Sequence, residues 1–376
     1  MRRSRFCKLI ASAVFISVFT PFSVLAIPQS QQLIERADKA ISAKNYSSAL
    51  SLADQALRLE PKLPYAHFVK GRAYALQGQV DKGIAEFTQT LKMEPKFYPA
   101  NAARASLLFK KKRYRDAIAD FTMAIRLGPN AEIYAARANA LVELGQFRSA
   151  IPDATKAIEL NPKHWHAYQL RGICYLNVGP YDKAAEDWKK AIELNPTDEA
   201  LYCGAAETSQ KSANHEQTVA TVTSALKRDV KSKQLYKFRA DAYYKQEMYK
   251  EAAGDLTVIL NVYKPPERWE LWDLYKLRGR SYLRSKEYAK AEQDCTDALK
   301  VAPDDSKSYA CRADARERLG KYKEAIDDLT RTIKLDPNDG RAFSNRAKLY
   351  QHLGDTKRAE ADRKEALRLS DKQWGI

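Results

Sequence analysis

The chain is poor in the residues from which catalysis is usually built. Its 376 residues hold 5 histidines, 5 cysteines and 4 methionines. His164 and His166, in KHWH, are two residues apart, so on a helix they diverge and do not share a metal. There is no glycine-rich phosphate loop, no HExxH and no GxSxG. The sequence therefore does not read as an enzyme, and neither a cofactor nor a metal is expected. Cysteine is equally uninformative as a framework. Cys174, Cys203, Cys295 and Cys311 have no CxxC spacing and lie far apart. They fit either as small buried apolar groups or, in an oxidising compartment, as disulfide partners.

Long apolar runs are also scarce after residue 26. The opening MRRSRFCKLIASAVFISVFTPFSVLAIPQS has a basic start, an apolar run from Leu9 to Ala26, and Val24-Leu25-Ala26 where a signal peptidase would read it. Pro21 would break a bilayer helix, so residues 1–26 read as a cleaved signal peptide, with an uncleaved membrane anchor as the alternative. Cys7 precedes the apolar run and is not placed as a lipoprotein cysteine. Export to the periplasm or beyond follows from this reading.

Charge is abundant but one-sided. The 64 basic and 47 acidic residues leave +17; Arg2, Arg3, Arg5 and Lys8 supply four of these, so the rest of the chain carries +13. FKKKRYR, from Phe109 to Arg115, is the densest basic cluster. It invites a nucleic-acid reading, but there is no RNP or helix-turn-helix signature, and export removes most nucleic acid from reach. An anionic envelope surface satisfies the same charges.

What the chain does have is a period. YRDAIADFTMAIRLGP, YDKAAEDWKKAIELNP and YKEAIDDLTRTIKLDP share one outline, and prolines recur at 61, 95, 129, 162 and 196 and, after a gap, at 303 and 337, with spacings of 33 or 34 within each run. A fixed period of this length signals a solenoid. With each proline set at repeat position 32, ten repeats fit between Ser30 and Asp371. Position 8 is Ala or Gly in all ten, and position 20 is Ala in eight, with Gly83 and Thr218 the exceptions. Two helices are expected to cross closely there. An aromatic fills position 17 in seven repeats, from Tyr46 to Tyr322, and packs beside the turn. Gly78, Gly145, Gly179, Gly320 and Gly354 occupy position 15, where a helix end needs a left-handed residue, and the proline stops the second helix.

A second pair of columns links position 7, nearly always Arg, to position 23, nearly always Asp. Arg171 and Asp187 are one such pair. Repeat six lacks both, as Ala205 and Thr221, and repeat one sets Arg36 against Leu52. An Arg to carboxylate ladder fixing one helix against the next is expected, as a register device more than a main stabiliser.

The pattern, in stretches such as RGICYLNVGPYDKAAEDWKKAIELNP, resembles the tetratricopeptide repeat across residues 27–371, leaving 372–376 as a tail. The resemblance implies an all-α, right-handed superhelical α-solenoid of antiparallel helix pairs, with a concave groove that binds peptides or proteins. The residues themselves show that each hairpin has an apolar face it can bury only against its neighbours. The family's carboxylate clamp is not matched: Asn345 stands at position 6 only in the last repeat, preceded by Ala310 and Asp314 where Lys and Asn belong.

The expected groove is two-toned. In repeats two to five its apolar candidates are Tyr65, Phe68, Phe109, Val142, Ile173 and Leu176. In repeats seven to ten its basic candidates are Lys237, Lys245, Lys276, Arg280, Arg284, Lys307, Arg318, Arg341 and Lys348, with few acids. Solvated surface charge explains the second set equally well. Two irregularities stand out. Repeat six is degenerate, as tolerated drift or as a hinge, and KPPERWELWDLYKLRG inserts about five residues near 265–272. There Pro265 and Pro266 can open a helix whose Trp269, Leu271, Trp272 and Tyr275 share a side. That helix either packs on repeat seven or offers Trp269 and Trp272 as an aromatic anchor. The expected function is an exported scaffold or adaptor binding a protein or peptide, which can carry acidic groups; a polyanion or membrane-surface binder is the alternative.

Overall fold

The computed structural model describes residues 28–263 and 267–374. The expected signal sequence at 1–26, and Pro265 and Pro266, lie outside the described residues. Among those described, every regular element is a helix, and the helices come in ten antiparallel pairs. The chain divides into two units between Asn195 and Pro196.

The first unit holds repeats one to five. These are α1 (Gln29–Ser42) with α2 (Tyr46–Leu59), α3 (Pro64–Leu76) with α4 (Val80–Met93), and α5 (Tyr98–Lys110) with α6 (Tyr114–Leu127). Next come α7 (Ala131–Glu143) with α8 (Phe147–Leu160), and α9 (Trp165–Val178) with α10 (Tyr181–Leu194). The second unit begins with α11 (Glu199–Lys211) and α12 (His215–Lys227), then α13 (Lys233–Lys245) and α14 (Tyr249–Val262). It continues with α15 (Arg268–Arg284) and α16 (Tyr288–Val301), α17 (Ser306–Arg318) and α18 (Tyr322–Leu335), and α19 (Gly340–His352) and α20 (Thr356–Trp374).

The close crossing expected from the small columns is present. Position 8 touches both position 20 and position 24. A Cβ added at Gly83 would lie 3.3 Å from the carbonyl oxygen of Gly71, joining positions 20 and 8. A Cβ at Gly71 would lie 2.6 Å from the Phe87 ring, and one at Gly172 would lie 3.1 Å from Trp188. Glycine at position 8 leaves room for the rings of Phe87 and Trp188 in repeats two and five, but size is not fixed by the column: Ala105 faces the ring of Phe121, Gly279 faces Cys295, and Ala313 faces Leu329. Phe87, Trp188 and Leu329 are all buried.

All ten turns between paired helices use a left-handed residue at position 15. Five are the glycines named above; the others are Lys44, Lys112, Ala213, Glu247 and Lys286, with φ between 57° and 66°. The turn is held from both sides: Arg113 N donates to Leu108 O at 2.9 Å and Asn214 N to Ser209 O at 2.8 Å, so the backbone closes even where a side chain is strained. Lys112→Gly and Ala213→Gly should each raise stability by about 0.5–1 kcal/mol, because relief of left-handed strain exceeds glycine's added chain entropy. Urea unfolding measures this; a loss of stability in both variants would refute it.

Candidate functional site: the first-helix faces and the ladder behind them

The ladder is present in all eight repeats where its two columns are filled. Arg104, Arg137, Arg171, Arg239, Arg278, Arg312 and Arg346 each donate from Nε and Nη2 to both oxygens of the Asp sixteen residues on, at 2.7–3.0 Å. In repeat two, Lys70 reaches Glu86 at 3.0 Å. These pairs are not the exposed contacts for which a small worth was expected. The Asp187 side chain is 4% exposed, and burial pushes its carboxyl pKa up against the hydrogen bond and charge of Arg171. That desolvation offsets much of the attraction, which supports a register role.

A third column, not recognised from the sequence, completes the ladder. The remaining nitrogen, Nη1, donates to a threonine at position 25 of the preceding repeat: Arg104 to Thr88 at 3.1 Å, Arg137 to Thr122 at 3.0 Å and Arg171 to Thr155 at 3.2 Å. The second unit repeats this with Thr223, Thr257, Thr296 and Thr330. In repeat two the same job falls to Asp54, 3.0 Å from Lys70. Each Arg fork therefore ties one hairpin to the one before it. Positions 25, 7 and 23 read Lys189, Ala205 and Thr221 on the two sides of residues 195 and 196, where all three partners are missing.

In the first unit the apolar candidates are less available than their positions suggest. Phe68 is 8% exposed, packed 5.0 Å from the Phe97 ring and 5.6 Å from Phe87, and Leu176 is 7% exposed. Both are buried, and Phe68 is turned by α3 onto the neighbouring hairpin through Phe97. Phe109, Val142 and Ile173 are half-buried, Phe109 lying 5.2 Å from Tyr114. Tyr65 is exposed at 36%, and its hydroxyl donates to Asp38 on α1 at 3.0 Å. Burial, then Asp38, pushes the Tyr65 pKa up to about 12. Arg72 on α3 also donates to Asp38, at 2.5 Å, a polar contact that the column reading missed. The basic cluster after Phe109 is partly neutralised, Lys111 by Asp81 and Arg113 by Asp116.

In the second unit the first-helix face carries more acid than expected. Lys237 donates to Asp273 at 3.1 Å and Lys276 lies 3.5 Å from the same carboxylate. Arg280 sits 5.6 Å over the Tyr244 ring. Lys245, Arg284, Lys307, Arg318 and Arg341 are exposed and make no ion pair with any described residue; Lys348 reaches only Asn345, at 3.4 Å. Asp241 and Asp314, both at position 9, lie among these cations with carboxyl pKa values raised by burial first.

The insertion yields a helix of 17 residues, α15, against 13 in most first helices. It packs on repeat seven through Leu274, which joins Leu256 and Ile259 in the core, and through the ion pair of Glu270 with Lys233 at 2.5 Å. The two tryptophans part company. Trp272 is committed within the chain, its Nε1 donating to Asp305 at 3.2 Å with Lys276 Nζ 3.5 Å over its ring. Trp269 is 61% exposed and donates to Glu267, beside an open depression of about 600 Å³ that Trp272, Val301, Ala302 and Pro303 also line.

The remaining sequence candidates have structural places. His164 caps α9, accepting from Ala167 N at 3.2 Å, and His166 bonds Gln169 at 2.9 Å. Cys295 and Cys311 form a disulfide between α16 and α17, whereas Cys174 and Cys203 are free thiols whose pKa burial pushes up to about 12. Cys295 and Cys311 thus take the disulfide reading and Cys174 the buried one, while Cys203 is only half-buried. No helix among the described residues is long and apolar enough to cross a membrane.

Tetratricopeptide repeat family models match residues 34–87, 77–132 and 135–199, then 273–305 and 306–339. No curated protein matches. Among solved structures, the chain is similar to YrrB, described as a TPR protein with an unusual peptide-binding site, at 20% identity, covering 49% of this chain and 95% of that one with a TM-score of 0.45. A tetratricopeptide repeat protein from Parabacteroides merdae aligns at 22% identity, over 66% and 98% of the two chains, with a TM-score of 0.46. MamA aligns at 23% identity over 43% and 94%, with a TM-score of 0.41. The ten helix pairs, their position-8 crossings and the matched repeats make this chain a member of the tetratricopeptide repeat family.

Proposed function

We propose that this protein is an exported, non-enzymatic scaffold that docks a protein or peptide segment on its first-helix faces, with acidic groups of the partner taken by the second unit. One observation carries the reading. Five exposed cations, Lys245, Arg284, Lys307, Arg318 and Arg341, stand in first-helix positions of the second unit and make no ion pair with any described residue. The matched family models are of an interaction repeat and none is catalytic. The basic start and apolar run of residues 1–26 support export, as a cleaved signal or an anchor.

The competing reading, a polyanion or membrane-surface binder, rests on the +13 carried by the chain after residue 26. A pull-down from envelope extract at near-physiological salt separates the two, with N-terminal sequencing of the recovered chain to read cleavage after Ala26. The scaffold reading expects a discrete protein in fixed ratio, weakened by Tyr65→Ala or by Arg284→Ala with Arg318→Ala. Phe68→Ala is unsuited to this test, because its ring is in the core. Heterogeneous polyanions released by modest salt, with no response to these substitutions, would replace the scaffold reading with the charge reading.

A further inference from the structure

We propose that the disulfide of Cys295 and Cys311 is an acquired lock on the joint between repeats eight and nine: a disulfide donor oxidises the pair before α17 packs on α16, and the bond then takes the place that a large side chain holds at other joints. The oxidising surroundings this needs rest on the export reading above; the chemistry of the lock does not.

The argument starts from a missing side chain. Cys295 stands at position 24 of repeat eight and Cys311 at position 6 of repeat nine, with Cα atoms 6.3 Å apart, a span that disulfides bridge. At other joints these two positions share one core cluster, and at least one residue of the pair is branched or aromatic: Phe87 with Ala103, Phe121 with Ala136, Ala154 with Leu170. Only repeats eight and nine put two small residues there. The joint therefore buries less apolar surface, and a covalent bond stands where packing would. Its register is set by polar ties on either side. Arg312, next to Cys311, donates to Thr296, next to Cys295, at 3.3 Å, and Glu292 on α16 accepts from Arg316 at 3.0 Å and from Lys321 at 2.6 Å. These contacts hold the two sulfurs opposite each other without needing the bond to do so.

Burial fixes the order of events. Cys295 and Cys311 are both buried, and thiol–disulfide exchange needs an attacking sulfur to reach the bond it breaks, which the packed helices deny. Before packing, the thiolate of one cysteine attacks the donor's disulfide, forming a mixed disulfide and releasing one donor thiolate. The thiolate of the other cysteine then attacks the chain's sulfur in that mixed disulfide and releases the second donor sulfur. Two electrons pass from the chain to the donor, which leaves as two thiols carrying the two protons. Nothing within the described residues readily reverses the step. The free cysteines there, Cys174 and Cys203, have thiol pKa values that burial pushes up to about 12, so little thiolate is present to attack the finished bond.

The test starts from the purified chain, unfolded and reduced. One portion refolds with oxidised glutathione present from the start; a second refolds in reductant, which is then exchanged for the same oxidised glutathione. Peptide mapping without reduction is expected to find the 295–311 link in both, forming about tenfold more slowly in the second. Equal rates overturn the order of events, and no link, or links through Cys174 or Cys203, overturns the lock. Amide exchange over α16 and α17 is expected to be about 100-fold slower in the linked chain than in the reduced one, and equal exchange overturns the lock. Cys295→Leu with Cys311→Ala replaces the bond by large-against-small packing, for which Gly279 leaves room beside residue 295. This variant is expected to exchange slowly with or without reductant; a reductant effect that persists in it overturns the lock. The thiol state of the chain in envelope extract separates the two readings. An exported chain with both thiols free overturns the lock and leaves export standing, whereas a chain found only in the cytoplasm that still links on refolding overturns export and leaves the lock.

Discussion

Arg171→Ala is expected to lower the unfolding free energy by about 3 kcal/mol, and Asp187→Ala by a similar amount. The cost comes less from the lost attraction than from what is left behind. Without Arg171, a carboxylate with a 4% exposed side chain loses its two charge-assisted bonds at 2.8 and 2.9 Å, and Thr155 loses its tie to the next hairpin. Removing both charged partners removes that penalty, so the double variant should cost far less than the sum, with a coupling of about 2–3 kcal/mol. Simple additivity in urea unfolding would refute the ladder. Arg171→Lys should fail to rescue, since one ammonium cannot fill a three-nitrogen fork. Repeat two shows what does go with lysine: Lys70 is matched with the longer Glu86. Arg171→Lys combined with Asp187→Glu should therefore be more stable than Arg171→Lys alone.

Trp188→Ala should cost about 3–5 kcal/mol, because the ring is 2% exposed and fills the space that Gly172 leaves open. With no side chain at Gly172 to move in, the hole cannot collapse. The contact of Gly172 with Trp188 makes a sharper prediction. Trp188→Leu should be destabilising, and adding Gly172→Ala should recover part of the loss by recreating the Ala313 and Leu329 pairing of repeat nine. If Gly172→Ala makes Trp188→Leu worse, positions 8 and 24 are not coupled.

The parts of the fold legible in the sequence were those repeated at fixed spacing within one hairpin. The position-8 crossing and the Arg171 to Asp187 pairing recur often enough that drift at single repeats does not hide them. Thr155 was missed because its partner lies in the next repeat, so columns read within a repeat never brought them together. Lys112 and Ala213 hid the left-handed turn: propensity names glycine there, but the closing hydrogen bonds and the packed helices on either side override it. The candidate site was less legible still. Position alone could not show that Phe68 and Leu176 sink into the core, nor that Asp273, carried in by the inserted turn of α15, neutralises Lys237 and Lys276.

The Thr to Arg bond also has a direction, since each fork reaches back to the hairpin before it. In repeat one Arg36 is exposed, and in repeat ten Lys364 stands where threonine would. The array therefore carries its own splice grammar. Excising or duplicating a whole period among repeats three and four or eight and nine rejoins a threonine to an arginine, as Thr88 would meet Arg137 if repeat three were cut out, whereas a graft whose edge falls between Lys189 and Ala205 inherits no such match. Within those stretches the array's length can change without its joints being redesigned.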